Sequence, residues 1–192
     1  MLDKIPSRAS GTLMCCGDAL IAISAWPGRI GSALILLLIF VVLLSVTGSL
    51  LGWSALLSWD TAIPLFGTHL NMTSIGELQW HVFALLVALS GAYALKESRH
   101  VRVDIISGRF STRTKLWIDV VGDLIFLVPF FCLLAYYSMD LIHTAYEFSE
   151  RSNSGGLQDR YLVKSTLLLT SVLLVMAGTG RILKNIGLLL KP

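Results

Sequence analysis

Two carboxylates, Asp119 and Asp123, stand four residues apart inside an otherwise apolar run. That spacing puts both on one face of a helix. A carboxylate at membrane depth is costly, so such residues face protein and carry either an ion relay or an ion pair. A proton or sodium relay is one reading. Pairing with Arg113, Lys115, Arg181 or Lys184 is the other, and depth favours it, because Asp119 lies close enough to the start of the run to reach the interface. A second group, Glu77, Trp80 and His81, opens an earlier apolar run, and Glu77 and His81 again share a helix face. Arg160 and Lys164 precede the last apolar run at matching depth. Glu77 can therefore tie two helices through either base, or stay hydrated at the interface.

Other chemistry is sparse. The histidines are His69, His81, His100 and His143. Bis-histidine haem needs two rings facing each other across a bundle. His81 and His143 could both lie near one surface, so a haem-binding membrane redox protein is the alternative to the main reading. Cys15 and Cys16 are adjacent, a geometry that strains a disulfide, and Cys132 lies in an apolar run. No CxxC, nucleophile–base arrangement, phosphate loop or metal-ligand spacing occurs. The expectation is a protein that is not an enzyme and holds no cofactor. The basic residues sit beside apolar spans without an aromatic-studded groove, which argues against nucleic acid.

These residues need a frame to hold them, and the frame is apolar. Of 192 residues, 55% are hydrophobic and 14% charged, with mean hydropathy +0.74. A soluble domain carries about 25% charged residues. A helix of about 20 apolar residues crosses the hydrocarbon core, and four runs qualify, at about 30–53, 75–95, 116–142 and 161–183. The last has a short charge-free centre, so Lys164 and Arg181 must snorkel toward the two surfaces. Before the first span, residues 14–27 mix Leu20, Ile21, Ile23 and Trp26 with Asp18 and Ser24. This stretch is too short to span and ends in Trp-Pro-Gly-Arg, so it reads as an amphipathic interfacial helix within an N-terminal segment 1–29. It lacks the small-residue cleavage site of a signal peptide.

Charge orients the frame. Lys4, Arg8 and Arg29 precede the first span. Lys96, Arg99, Arg102, Arg109, Arg113 and Lys115 lie between the second and third, and Arg181, Lys184 and Lys191 close the chain. Those twelve face three, Arg151, Arg160 and Lys164, on the other side. The positive-inside tendency puts both termini in the cytoplasm. The fold class expected is thus an all-α integral membrane protein, N-in and C-in, with a four-helix domain over 30–190. The first outer loop, 54–74, is expected to hug the surface. The second, 143–160, contains Ser-Asn-Ser-Gly-Gly, a turn signal, and is expected to project. The helices read as continuous, with Pro129 as the kink candidate, and no inverted repeat of the kind found in complete transporters is present. Gly91, Ala92, Ala94, Ala177, Gly178 and Gly180 mark close packing faces.

The stretch Leu78–Asp104, LQWHVFALLVALSGAYALKESRHVRVD, resembles the small membrane subunit of tripartite ATP-independent periplasmic (TRAP) transporters, the DctQ-like family. Leu116-Trp117-Ile118-Asp119 is similar to that family's third helix opening. Gly155-Gly156-Leu157 and Arg160-Tyr161-Leu162-Val163-Lys164-Ser165 are similar to the start of its fourth. The resemblance implies an accessory subunit in the bacterial inner membrane. It would scaffold a large permease subunit for ion-coupled uptake of an organic acid delivered by a periplasmic binding protein. It implies an assembly role, without substrate contact, for Glu77, His81, His100, Arg102, Asp104 and Asp119. Trp80, Asp123, Arg160, Lys164 and Arg181 complete the set expected at structural or partner contacts.

Overall fold

The structure, a computed structural model, describes residues 8–97 and 110–191. Among them four helical stretches are long and apolar enough to cross a membrane: Ala9–Leu50, Met72–Lys96, Thr112–Glu147 and Tyr161–Leu189. The first is interrupted. Helix α1 covers Arg8–Ala25, a 3-10 turn covers Trp26–Ile30, and α2 covers Gly31–Leu50. Pro27 disfavours helical backbone at the residue before it and offers no amide donor, so α1 stops where the Trp-Pro-Gly sequence begins. The further helices are α3 (Met72–Lys96), α4 (Thr112–Glu147) and α5 (Tyr161–Leu189).

Helix α4 is not uniform. Asp123–Leu127 forms a π-helical turn, and the Val128 amide donates to the Asp123 carbonyl five residues back. Pro129 explains this. It cannot donate to Ile125, and its ring crowds that carbonyl. A wider turn just upstream relieves the conflict. The proline therefore acts through a π turn that begins on Asp123, so the third span is not the continuous α-helix expected.

A β-hairpin occupies most of the first loop. Strand β1 (Ala55–Ile63) pairs antiparallel with β2 (Gly67–Asn71), with Ser58 opposite His69 and Ile63 opposite Gly67. It adds a small sheet to an otherwise helical chain. The turn puts Leu65 at φ 74° and Gly67 at φ 66°, a region that costs glycine nothing and leucine something. Trp59 Nε1 donates to the Gly67 carbonyl at 2.6 Å and braces the hairpin from inside.

The chain divides into two compact units. One holds Met1–Arg29, Ser90–Leu133 and Thr170–Pro192; the other holds Ile30–Leu89 and Leu134–Leu169. In the first, α1 lies against the C-terminal part of α5 through glycine. A Cβ added at Gly17 would stand 2.6 Å from the Gly180 carbonyl oxygen, and one at Gly180 would stand 2.9 Å from the Gly17 carbonyl oxygen. One turn pair further on, Gly187 faces Met14 and Ser10. Small residues at this seven-residue spacing let two helix backbones touch. The expected interfacial segment is thus a longer helix, packed on the last helix along a glycine seam.

In the second unit, the loop after α4 packs on the hairpin. The Gln158 amide donates to the Leu65 carbonyl at 2.8 Å. The Leu65 amide donates to Asp159 Oδ2 at 3.2 Å. Asn71 has two tasks. Its Oδ1 caps α3 by accepting from the Ser74 amide at 2.7 Å, and its Nδ2 donates to the Gly155 carbonyl at 2.9 Å. The core residues of this unit include Ile75, Val82, Leu89, Ala145 and Leu157. On α2, by contrast, Leu36, Ile39, Phe40 and Leu43 are all exposed. Such a continuous apolar surface needs lipid or protein against it.

Candidate functional site

The sequence-expected residues fall into two groups, one in each unit. Glu77 organises the first. One carboxylate oxygen accepts from the Ser152 hydroxyl, and the other accepts from the Leu157 amide at 2.8 Å. Arg160 Nη2 stands 3.8 Å from Oε1. A carboxylate with this many donors needs the approaching backbone to be bare, and Gly156 supplies that: a Cβ there would collide with both Glu77 oxygens. Lys164 pairs with Glu150 and not with Glu77, and Arg160 lies 4.0 Å from Glu150. Two acids and two bases thus form one network at the start of α3 and of α5.

Trp80 and His81 line a groove beside this network, together with Val163. Trp80 is 73% exposed, as an interface-belt indole would be. The His81 Nδ1 lies 2.8 Å from the Glu77 carbonyl oxygen. A carbonyl only accepts, so Nδ1 is the donor. Nε2 is buried and has no hydrogen-bond partner among the described residues. His143, the other ring considered for haem, lies 3.5 Å from Glu147 with its side chain 71% exposed.

The second group centres on Asp123, which is 2% exposed. Arg181 donates to both its oxygens, from Nε to Oδ2 at 2.5 Å and from Nη2 to Oδ1. This forked pairing is the strong form of a charge-assisted contact. It also answers the cost of burying a carboxylate, because each charge has the other and the pair shares two hydrogen bonds. The π turn matters here, since Asp123 is its first residue. Lys184 pairs with Asp18 of α1 at 2.7 Å, and not with the acids of α4. Asp119 is half-buried and lines a cavity with Lys96, Arg181, Lys184 and Asn185. His100, Arg102 and Asp104 lie outside the described residues.

Several members of these networks were not singled out from sequence. Ser152, Leu157 and Glu150 hold or extend the Glu77 site, and Asp18 and Asn185 join the Asp123 group. The Gly155-Gly156 pair was a legible turn signal. That a glycine there also clears space for a carboxylate 79 positions earlier is long-range information that no local pattern carries.

No group of three or more His, Cys, Asp or Glu residues that could hold a metal ion occurs among the described residues. The charges that are brought together are tied to one another, in and beside helices long enough to span a bilayer. That arrangement defines a multi-pass membrane protein whose ionisable groups join its helices and loops. The family of tripartite ATP-independent periplasmic transporters, DctQ component, matches residues 65–187, and the chain belongs to it. It is accordingly a transporter component and not an enzyme. No curated protein and no solved structure matches the chain.

Proposed function

We propose that this chain is the scaffold subunit of a TRAP transporter in a bacterial inner membrane. It holds a large permease subunit that carries out ion-coupled uptake of an organic acid, and a soluble periplasmic protein delivers that acid. Both chain ends face the cytoplasm, in keeping with the distribution of Lys and Arg.

The observation that carries this reading is the forked Arg181–Asp123 pair. A coupling site needs a carboxylate that can exchange its ion. Asp123 instead has both oxygens occupied by a guanidinium of the same chain. The Glu77 carboxylate is likewise occupied on both oxygens. Charges used to fix structure suit a support better than a conduit. The exposed apolar face of α2 offers surface for a large membrane partner as well as for lipid. The Glu77, Trp80, His81, Arg160 and Lys164 cluster and the His100–Asp104 stretch are the proposed assembly contacts, the latter on resemblance alone.

The test is purification of the tagged chain from membranes that also contain the large subunit. Stoichiometric recovery of that subunit is expected, and uptake in proteoliposomes should require both chains. Recovery of the tagged chain alone, from membranes holding both, overturns the proposal.

A further inference from the structure

The hairpin between α2 and α3 has no part in the scaffold reading, and the ties at its two ends limit how it can lie. Its root stands on two helices of membrane-crossing length. Strand β1 follows α2, which ends at Leu50, and β2 runs straight into Met72, the first residue of α3. The Met72 amide donates to the Ser54 carbonyl at 3.4 Å and closes the root.

The tip is tied back to the same level. Gln158 and Asp159 hold Leu65 by its carbonyl and its amide. Gly67 is buried, and a Cβ there would strike the Gln158 side chain. Leu157, the neighbour of Gln158, donates its amide to Glu77 in the second turn of α3. Root and tip thus both reach the start of α3. Strand β2 has five residues and is about 16 Å long. Standing upright on α3, it would lift the tip that far away. With both ends tied, the hairpin lies along the surface that α3 enters. All these residues belong to one compact unit.

The chemistry of the hairpin suits such a surface. Residues 51–71 hold no Lys or Arg and one acid, Asp60. Leu50, Leu51 and Trp53 are exposed at the end of α2, and Leu57 on β1 is 61% exposed. Leu57 stands opposite Leu70, and Ser58 opposite His69. Adjacent residues of a strand point to opposite faces, while cross-strand partners share a face. One face therefore carries a leucine pair. The other carries a serine and a histidine, both exposed. A two-faced element with almost no charge, rooted on membrane helices, matches the boundary between acyl chains and water. Without a basic residue it has no electrostatic hold on anionic headgroups.

We propose that the hairpin is a membrane-surface anchor. It lies flat in the headgroup layer, with Leu57 toward the acyl chains and Ser58 and His69 toward water. Its partner is the lipid surface itself, and burial of apolar area holds it there.

The test uses the full chain in phosphatidylcholine nanodiscs, with Cys15→Ala, Cys16→Ala and Cys132→Ala as background and one nitroxide label at a time. Labels at Leu57→Cys and Ser58→Cys are compared by power saturation with oxygen, which partitions into lipid, and with a nickel chelate, which stays in water. Both substitutions replace exposed residues, so the packing is kept. Labels at Leu36→Cys and Lys191→Cys, also exposed, mark the lipid and water ends of the scale. Position 57 should match position 36, and position 58 should match position 191. Opposite readings at two neighbouring residues require a membrane surface between them. Nickel access at both positions, oxygen access at both, or shielding of both from either reagent overturns the proposal. The labels are then read again with the large subunit bound. Position 57 should keep its oxygen access. Its loss there also overturns the proposal, since the occupant would be protein. The first arm needs this chain alone, so it decides the matter whatever becomes of the scaffold reading.

Discussion

Arg181 holds Asp123 by both carboxylate oxygens, 58 positions away along the chain. Asp123 is the first residue of the π turn that Pro129 provokes. One helix irregularity and one ion pair therefore meet at the same residue. Neither is ornamental, because a lone buried charge here would be worse than no charge at all.

Removing one partner should therefore be more harmful than removing both. Asp123→Ala leaves the guanidinium uncompensated and should cost about 3–5 kcal/mol. Asp123→Leu with Arg181→Met should be markedly milder than either single change. Thermal melting of the purified variants in one detergent checks the order.

The Glu77 site predicts a coupling. Glu77→Ala strands the Leu157 amide and the Ser152 hydroxyl and should cost about 1–3 kcal/mol. Gly156→Ala drives a Cβ into the same carboxylate. Once Glu77 is shortened that collision is gone, so the double variant should be less destabilised than the sum of the two. Protease cleavage within 148–160 reports the same loop: both single variants should be cut faster than the parent chain.

The glycine seam predicts opposite signs at different glycines. Gly17→Ala and Gly180→Ala each push a methyl against the facing backbone, which cannot yield as a side chain can. Both should loosen α1 and speed its proteolytic release. Gly76 and Gly122 have nothing within 4 Å of an added Cβ. Alanine at either should stabilise its helix by about 0.5–1 kcal/mol.

Much of this frame was legible in the sequence, for a physical reason. Crossing a bilayer demands length and apolarity, and both are local properties, so the four long helices stand out. Asp123 with Arg181 and Glu77 with Arg160 were also among the pairings weighed, because matched depth narrows the choice of partners for a charge. What escaped depends on distant contacts. The hairpin has no Asn-Gly turn and only weak alternation in ALLSWDTAI, and its tip is held by Gln158 and by Asp159, the latter 94 residues away. The Lys184–Asp18 pair needed α1 to pack against α5. Gly17 and Gly187 show their purpose only when set against each other's helices. The two histidines illustrate the limit from the other side: residue type suggested a shared ligand, while each ring engages its own helix, at Glu77 and at Glu147.

The account turns on dependence on a partner. Its most direct measurement is substrate uptake by proteoliposomes containing the large subunit alone, this chain alone, or both, with co-purification read in parallel. The account predicts uptake only with both, and a stable complex between them. Uptake by this chain alone, or full uptake by the large subunit without it, would contradict the claim.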